Sequence, residues 1–279
     1  MYRATAPVLG APRRARRSPI PLRLGAVLRR EFGAGSCRID VPELHRYFAD
    51  LTNGHDVGHR RELVERAAGN TFISMARDLL DGRLPAGEPI DLAIVAHATP
   101  DFDPRLSTPV NLTAVLPGGP LVFSVSGQGV AAAFTALRVA SGYVARHGYR
   151  RVLVLVMDQR EMPYQADRPV RDAAVALLLE PGGGALEVGT VPGVAPAEVP
   201  GALADLLRDA AEPATVVAGP GIVWPGGAAV PDGFPCTGIW APLAGARAPR
   251  PVVLADYDPV YRDLNVCVVR EPAGGPDVL

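Results

Sequence analysis

The sequence predicts an α/β protein made of two pseudo-duplicated halves, and three observations predict it. Apolar runs rich in valine and leucine recur at residues 90–96 (IDLAIVA), 121–126 (LVFSVS), 151–157 (RVLVLVM) and 175–179 (VALLL), as buried strands do. A long helix candidate at 130–147 stands between the second and third runs, where a crossover connection belongs. Beyond residue 180 the alternation of strand and helix returns in a shorter form. The chain therefore divides into 1–180 and 181–279.

Residues 1–22 are rich in Pro and Arg and are expected to be poorly ordered at their start. Residues 41–50 (VPELHRYFAD) and 60–80 space their apolar side chains helically, and in the second Leu63, Ala67, Phe72, Met75, Leu79 and Leu80 share a face. Pro85 and Gly87 break the chain ahead of the strand at 90–96, and 97–101 (HATPD) turns it afterwards. Pro100, Pro104, Pro109 and Pro117 make 98–120 irregular, with room for one short helix. The strand at 121–126 runs into a tight elbow of Gly127, Gln128 and Gly129, and the long helix begins at Val130. In the second half, 181–184 (PGGG) reads as a turn, 186–191 and 214–217 as strands, and 199–211 as a helix. Residues 219–235 are almost all Gly, Pro and small side chains. Residues 251–255 and 265–270 form a closing hairpin around 256–263 (DYDPVYRD), read as a hydrogen-bonded turn.

Composition narrows the function. A 279-residue chain with 48% hydrophobic content buries a large core. A net charge of −1 supplies no field to attract nucleic acid or a membrane surface. No apolar stretch reaches the roughly 20 residues needed to span a bilayer. Arg13, Arg14, Arg16 and Arg17 are followed by no apolar segment, so a secretory signal is not expected. Three cysteines, Cys37, Cys236 and Cys267, are an odd number without paired spacing, which predicts a reduced, cytoplasmic setting. No cofactor or metal is expected: His55 and His59 lie four apart but lack the further ligands a metal site needs.

Specific segments carry a resemblance. Residues 90–100 (IDLAIVAHATP) are similar to the strand and turn DLIVVATSTPD of the β-ketoacyl-ACP synthase III family, and 136–144 (ALRVASGYV) to the helix after its nucleophile. Residues 147–158 (HGYRRVLVLVMD) resemble SGAYRRVLVVGAD, and 171–180 (RDAAVALLLE) resemble GDGAGAVVLE. More weakly, 235–243 (PCTGIWAPL) resembles the helix GNTSAASIPL, and 251–270 the family's terminal hairpin. The resemblance implies a thiolase-like, pseudo-duplicated α/β/α/β/α sandwich. Its second half is shortened, because the family's catalytic subunits are longer.

The same resemblance implies chemistry that this chain lacks. A ketosynthase holds a cysteine thiolate at the N-terminus of a buried helix. Histidine and asparagine partners receive the thioester carbonyl and stabilise the enolate. The cysteine position falls on Gly129, or on Gln128 or Val130 in the neighbouring registers, and none is a thiol. The histidine position falls among Gly219, Pro220 and Gly221, and no histidine follows His147. The asparagine position falls on Pro235 or Cys236. The implied protein is a catalytically degenerate subunit of bacterial fatty-acid-like or specialised, polyketide-type metabolism. In the family, dimers form by pairing the strand before the elbow. That places Val122, Phe123, Ser124, Val125 and Ser126 at the interface, with Asp158 beside it. The implied partner is an active synthase III-like chain or a second copy, with acyl carrier protein or acyl-CoA as further partners.

Other readings remain open. An atypical acyltransferase or thioester hydrolase would line its site with Gln128, Cys236 and His97, and a non-catalytic acyl or small-molecule binder would use the same cavity. Gln128 is either an amide facing a thioester oxygen or an elbow residue capping backbone groups. Cys236 is either a thiolate at a helix start or an inert buried side chain. His97 ends a buried strand, where α/β sites collect, and fits a structural role equally well.

Overall fold

The computed structural model describes residues 17–54, 60–84, 88–162, 169–208, 215–244 and 251–270. Its nine strands are β1 (Ser18–Glu31), β2 (Leu92–His97), β3 (Leu121–Val125), β4 (Val152–Asp158), β5 (Ala173–Val191), β6 (Thr215–Ala218), β7 (Ala228–Ala229), β8 (Val252–Asp258) and β9 (Asp263–Val269). They run in the order β3-β2-β4-β5-β9-β8-β6-β7, with β1 paired to β5 off that path. Around β2 and β4 the order is 3-2-4-5-1, and around β6 and β8 it is 7-6-8-9-5. The senses match too: β2 is parallel to β3 and β4, and β6 is parallel to β7 and β8. The remaining pairs are antiparallel. The duplication expected from the sequence is thus present in the topology.

β5 belongs to both halves. Residues 173–179 pair with β4, and residues 186–191 pair with β9. The segment 181–184, expected as a turn, lies inside this one strand, so the expected boundary after residue 180 falls within it. Three successive glycines lie within the strand without ending it. β1 begins inside the Pro- and Arg-rich segment 1–22 and runs on through residues 23–31, to which the sequence reading assigns no element. Its partner lies on one side only, so Pro19 and Pro21 remove no bond from a central ladder. The register slips beside Pro21 and Gly25.

Alternation along the strands sorts the core into layers. Leu92, Ile94, Ala96, Val152, Val154 and Val156 face a central layer, and their odd-numbered neighbours face the outer helices α3 (Phe72–Leu80) and α4 (Thr108–Val115). The central layer holds α5 (Ala132–His147) and the 3-10 turn Gly238–Leu243, with Val252, Leu254 and Cys267 of the second sheet beyond them. Ala132, Ala133, Ala136 and Ala140 keep α5 slim enough to lie between two sheets, and Gly148, at φ +68°, ends it. The second half's counterpart is only six residues long and contains Pro242. α6 (Val199–Leu207) covers the outer face of β8 and β9. An α/β/α/β/α sandwich results.

The helix expected over 60–80 is two helices, α2 (Arg61–Arg66) and α3. Gly69 bridges to Cys37 between them, and Thr71 opens α3 in a reciprocal capping box with Ser74. With α1 (Pro42–Gly54), α2 builds a satellite core of Ile39, Leu44, Phe48, Val64, Ala67 and Phe102. Among the described residues no helix is long and apolar enough to cross a membrane.

Leu155 lies in the middle of β4, fully buried among α3, α4 and β2. Leu155→Ala is expected to cost about 2–5 kcal/mol, seen as a lower midpoint of urea unfolding with an unchanged slope.

Candidate functional site

The C-terminal ends of β4, β6 and β8 meet the start of α5, the place in α/β sheets where ligands collect. Gly127 and Gly129, at φ +70° and +52°, make the elbow, and a 3-10 turn (Gly129–Ala131) leads from it into α5. Three positions singled out in the sequence come together here. Cys236 Sγ lies 4.0 Å from the carbonyl oxygen of Gly129, and Gly219 N–H donates to Ala255 O beside Asp256.

The space between them is filled by carboxylates. Asp158, at the end of β4, is buried and accepts from the N–H of Cys236 (2.9 Å), the N–H of Thr237 (2.8 Å) and the Thr237 hydroxyl (2.6 Å). Asp256 accepts from the N–H of Tyr257 through Oδ1, while its Oδ2 is buried without a hydrogen-bond partner. Asp258 Oδ1 accepts from the N–H groups of Val260 and Tyr261, and its Oδ2 receives a long 3.4 Å bond from the N–H of Val130. A side chain on Gly129 would place its Cβ 1.8 Å from Asp258 Oδ2. One on Gly219 would place its Cβ 2.0 Å from Asp256 Oδ1.

These surroundings set the protonation states. Burial pushes Asp158 up to about 6 against the pull of its three donors. Burial also raises Asp256 well above the ordinary carboxylate range, with the like charges of Asp258 and Asp158 adding to it. Cys236 is raised well above a normal thiol by burial and by the neighbouring Asp158 and Asp256. The helix start expected to favour a Cys236 thiolate is thus outweighed by two acidic neighbours, and the group is a neutral thiol.

The three expected catalytic residues do not form one constellation. Gln128 turns outward, where its Oε1 accepts from the Thr135 hydroxyl at 2.6 Å, and it caps no backbone group. His97 lies on the α3 face of β2, its ring tilted against Phe72 with centroids 4.9 Å apart, and Nδ1–H donates to Thr99 O at 2.6 Å. Burial lowers its pKa, so it is a neutral ring on the other side of the sheet from Cys236. Asp158, expected beside a dimer interface, is enclosed within its own chain because its oxygens hold residues 236 and 237. β3 ends the strand order, with Val122, Phe123 and Val125 half-buried and Ser124 and Ser126 exposed. Cys267 is core within β9, and half-buried Cys37 sits 3.8 Å from Asp103. His55 and His59 lie outside the described residues, among which no group of three or more metal-ligating side chains gathers.

Asp256 and Asp258 are the residues that sequence reasoning missed. Reading DYD as part of a turn hid them, whereas β8 runs on to Asp258 and the turn occupies 259–262. Alternation was the available signal: Val252 and Leu254 face the central layer, so Asp256 and Asp258 continue that face.

Comparison with solved structures decides the fold. A 3-oxoacyl-(acyl-carrier protein) synthase from Burkholderia xenovorans LB400 superposes with a TM-score of 0.61 at 13% identity, over 93% of this chain and 97% of that one. The fold is thiolase-like. The thiolase-like match extends to the 3-oxoacyl-(acyl carrier protein) synthase III of Pseudomonas aeruginosa PAO1, with a TM-score of 0.58 at 14% identity over 90% of this chain and 98% of that one. A tetronic acid condensing enzyme matches at 0.57 and 14% identity, over 90% of this chain and all of that one. No protein-family model and no curated protein sequence matches the chain.

Asp158→Ala would strand three buried donors in the middle of this thiolase-like sandwich. The expected loss is at least about 3 kcal/mol, read from chemical unfolding. The buried carboxyls also fix a pH dependence. Their folded-state pKa values lie above the unfolded values, so their contribution is full below about pH 4; for Asp158 it is lost as pH rises through about 6, and for Asp256 as pH rises through its own raised pKa. For Asp158 the change is about 3 kcal/mol. Urea midpoints at pH 5 and pH 8 should differ less in Asp256→Asn than in the unsubstituted protein.

Proposed function

We propose that this chain is a catalytically degenerate, ketosynthase III-like subunit that supports an active partner by dimerisation. The observation that carries the reading is the filling of its elbow: Gly129 and Gly219 are among the positions at which the resemblance places the family's cysteine and histidine, and Asp258 and Asp256 occupy the space a side chain there would need. A third position holds Cys236 as a neutral, buried thiol. Such a centre has neither a nucleophile nor a base aimed at a thioester.

The exposed features suit a partner. β3 is an edge strand whose outer backbone groups pair with no other strand among the described residues. Alongside it α4 carries no charged residue, and Leu106, Val110, Val115 and Leu121 are exposed. An edge strand flanked by apolar side chains suits pairing with a second strand edge, either that of an active synthase III-like chain or that of another copy. Structural neighbours described as 3-oxoacyl synthases, an acyltransferase and a tetronic acid condensing enzyme support a place in fatty-acid-like or polyketide-type metabolism, with acyl carrier protein or acyl-CoA reaching the partner's site. Three free cysteines suit work in the cytoplasm.

The test is intact-protein mass spectrometry after incubation with acyl-CoAs and malonyl-CoA, with the chain alone and with a synthase III from the same source. The expected outcome is no adduct on this chain and a faster-forming adduct on the partner when both are present. An adduct on this chain alone, or turnover by it alone, would sink the proposal. In parallel, Phe123→Asp should abolish co-elution with the partner and leave the isolated chain folded by circular dichroism.

A further inference from the structure

We infer that the terminal hairpin locks the vestigial centre, with Asp256 and Asp258 of β8 paired to Gly219 and Gly129 so tightly that neither lost side chain can return by itself. This rests on reading Gly129 and Gly219 as vestigial catalytic positions, and it is independent of any partner.

Separations of 1.8 and 2.0 Å between a built Cβ and a carboxylate oxygen lie far inside van der Waals contact. In a close-packed interior such overlap is relieved only if one group moves. Neither carboxylate is free to do so. Asp258 faces Asp263 across the hairpin, and its Oδ1 holds the N–H groups of Val260 and Tyr261. Asp256 is fully buried, faces Asn265 and receives the N–H of Tyr257. Both side chains leave the same face of β8, two residues apart, and that strand is paired with β9 at both positions and with β6 as far as Ala255.

Electrostatics reinforces the fit at Gly129. The opening of α5 leaves backbone N–H groups and the positive end of a 16-residue helix facing the elbow. Asp258 brings an anion to that point and accepts from the N–H of Val130. The negative charge that a thiolate would have carried at the helix start comes instead from the opposite sheet. The two glycines and the two aspartates therefore form coupled pairs, and the substitution that removes a nucleophile at 129 also makes room for the residue that replaces its charge.

A double-mutant cycle on the isolated, full-length chain tests this, with Gly129→Cys, Asp258→Ser and both together. Unfolding equilibria are measured alongside alkylation of the introduced thiol by iodoacetamide, located by peptide mass spectrometry. Gly129→Cys alone should lower the folding equilibrium constant by roughly ten- to a hundredfold, as overpacking does. Part of that loss is left-handed backbone strain, which stays in both backgrounds. Asp258→Ser should return at least tenfold of it, and the introduced thiol should then alkylate in the folded protein much faster than Cys236. Independent, additive effects, or a stable and reactive Gly129→Cys protein with Asp258 intact, would overturn the inference. If Gly129→Cys does not fold, Gly129→Ala in the two backgrounds gives the same comparison, and failure in both backgrounds counts against the lock. Because no partner is present, a negative result here leaves the subunit role standing, and an inert complex leaves the lock standing.

Discussion

The hydrogen bonds from residues 236 and 237 to the Asp158 carboxylate tie the end of β4 to the element that opens the second half's share of the central layer. Trp240, fully buried against Phe134 of α5, follows within one turn, so the anchoring at Asp158 also positions the largest side chain of the core. Three donors on one enclosed carboxylate compensate much of its burial cost, while their removal would leave each of them without water. The two sheets and the helix between them are consequently registered by a polar contact set in a largely apolar interior. Apolar packing supplies most of the stabilisation there, and the directional bonds specify which way the halves face each other.

Much of the first half could be read directly from residue order. β2, β4 and α5 announce themselves because buried parallel strands and an alanine-rich helix leave plain periodic signatures. β1 was hidden by Pro19, Pro21 and its arginines, which an edge strand tolerates and a central strand does not. The glycines at 182–184 suggested a turn because glycine permits both a turn and a bend, and only the pairing partners of residues 173–191 distinguish them. At the site, the absence of the cysteine, histidine and asparagine that the resemblance implies was visible as missing letters. What fills the elbow was not, because Asp256 and Asp258 come from a strand far along the chain from Gly129, and their short charged motif read as a turn.

The filling of the elbow follows ordinary packing logic. A helix start aimed into a closed interior attracts an anion, and a sheet end needs its last side chains accommodated. Glycine at the elbow and aspartate on the facing strand satisfy both needs at once, without the desolvated thiolate that a working centre must maintain. Cys236, a neutral thiol enclosed beside Asp158 and Asp256, illustrates the same preference for neutrality in an enclosed space.

The pairing of β1 with β5 also bears on how the chain is made. Residues 18–31 have their partners at 173–188, so the strand emerges from the ribosome long before anything exists for it to pair with. At about 5–20 residues per second the wait is on the order of ten seconds or more, during which an extended segment containing Leu22, Leu24, Val27 and Leu28 is unprotected. Arg23 interrupts that apolar stretch and Arg29 and Arg30 follow it, the placement by which charged gatekeepers disfavour pairing between exposed strands. The arginines that disguise β1 as a disordered terminus thus suit it to a long delay before its place in the sheet is built.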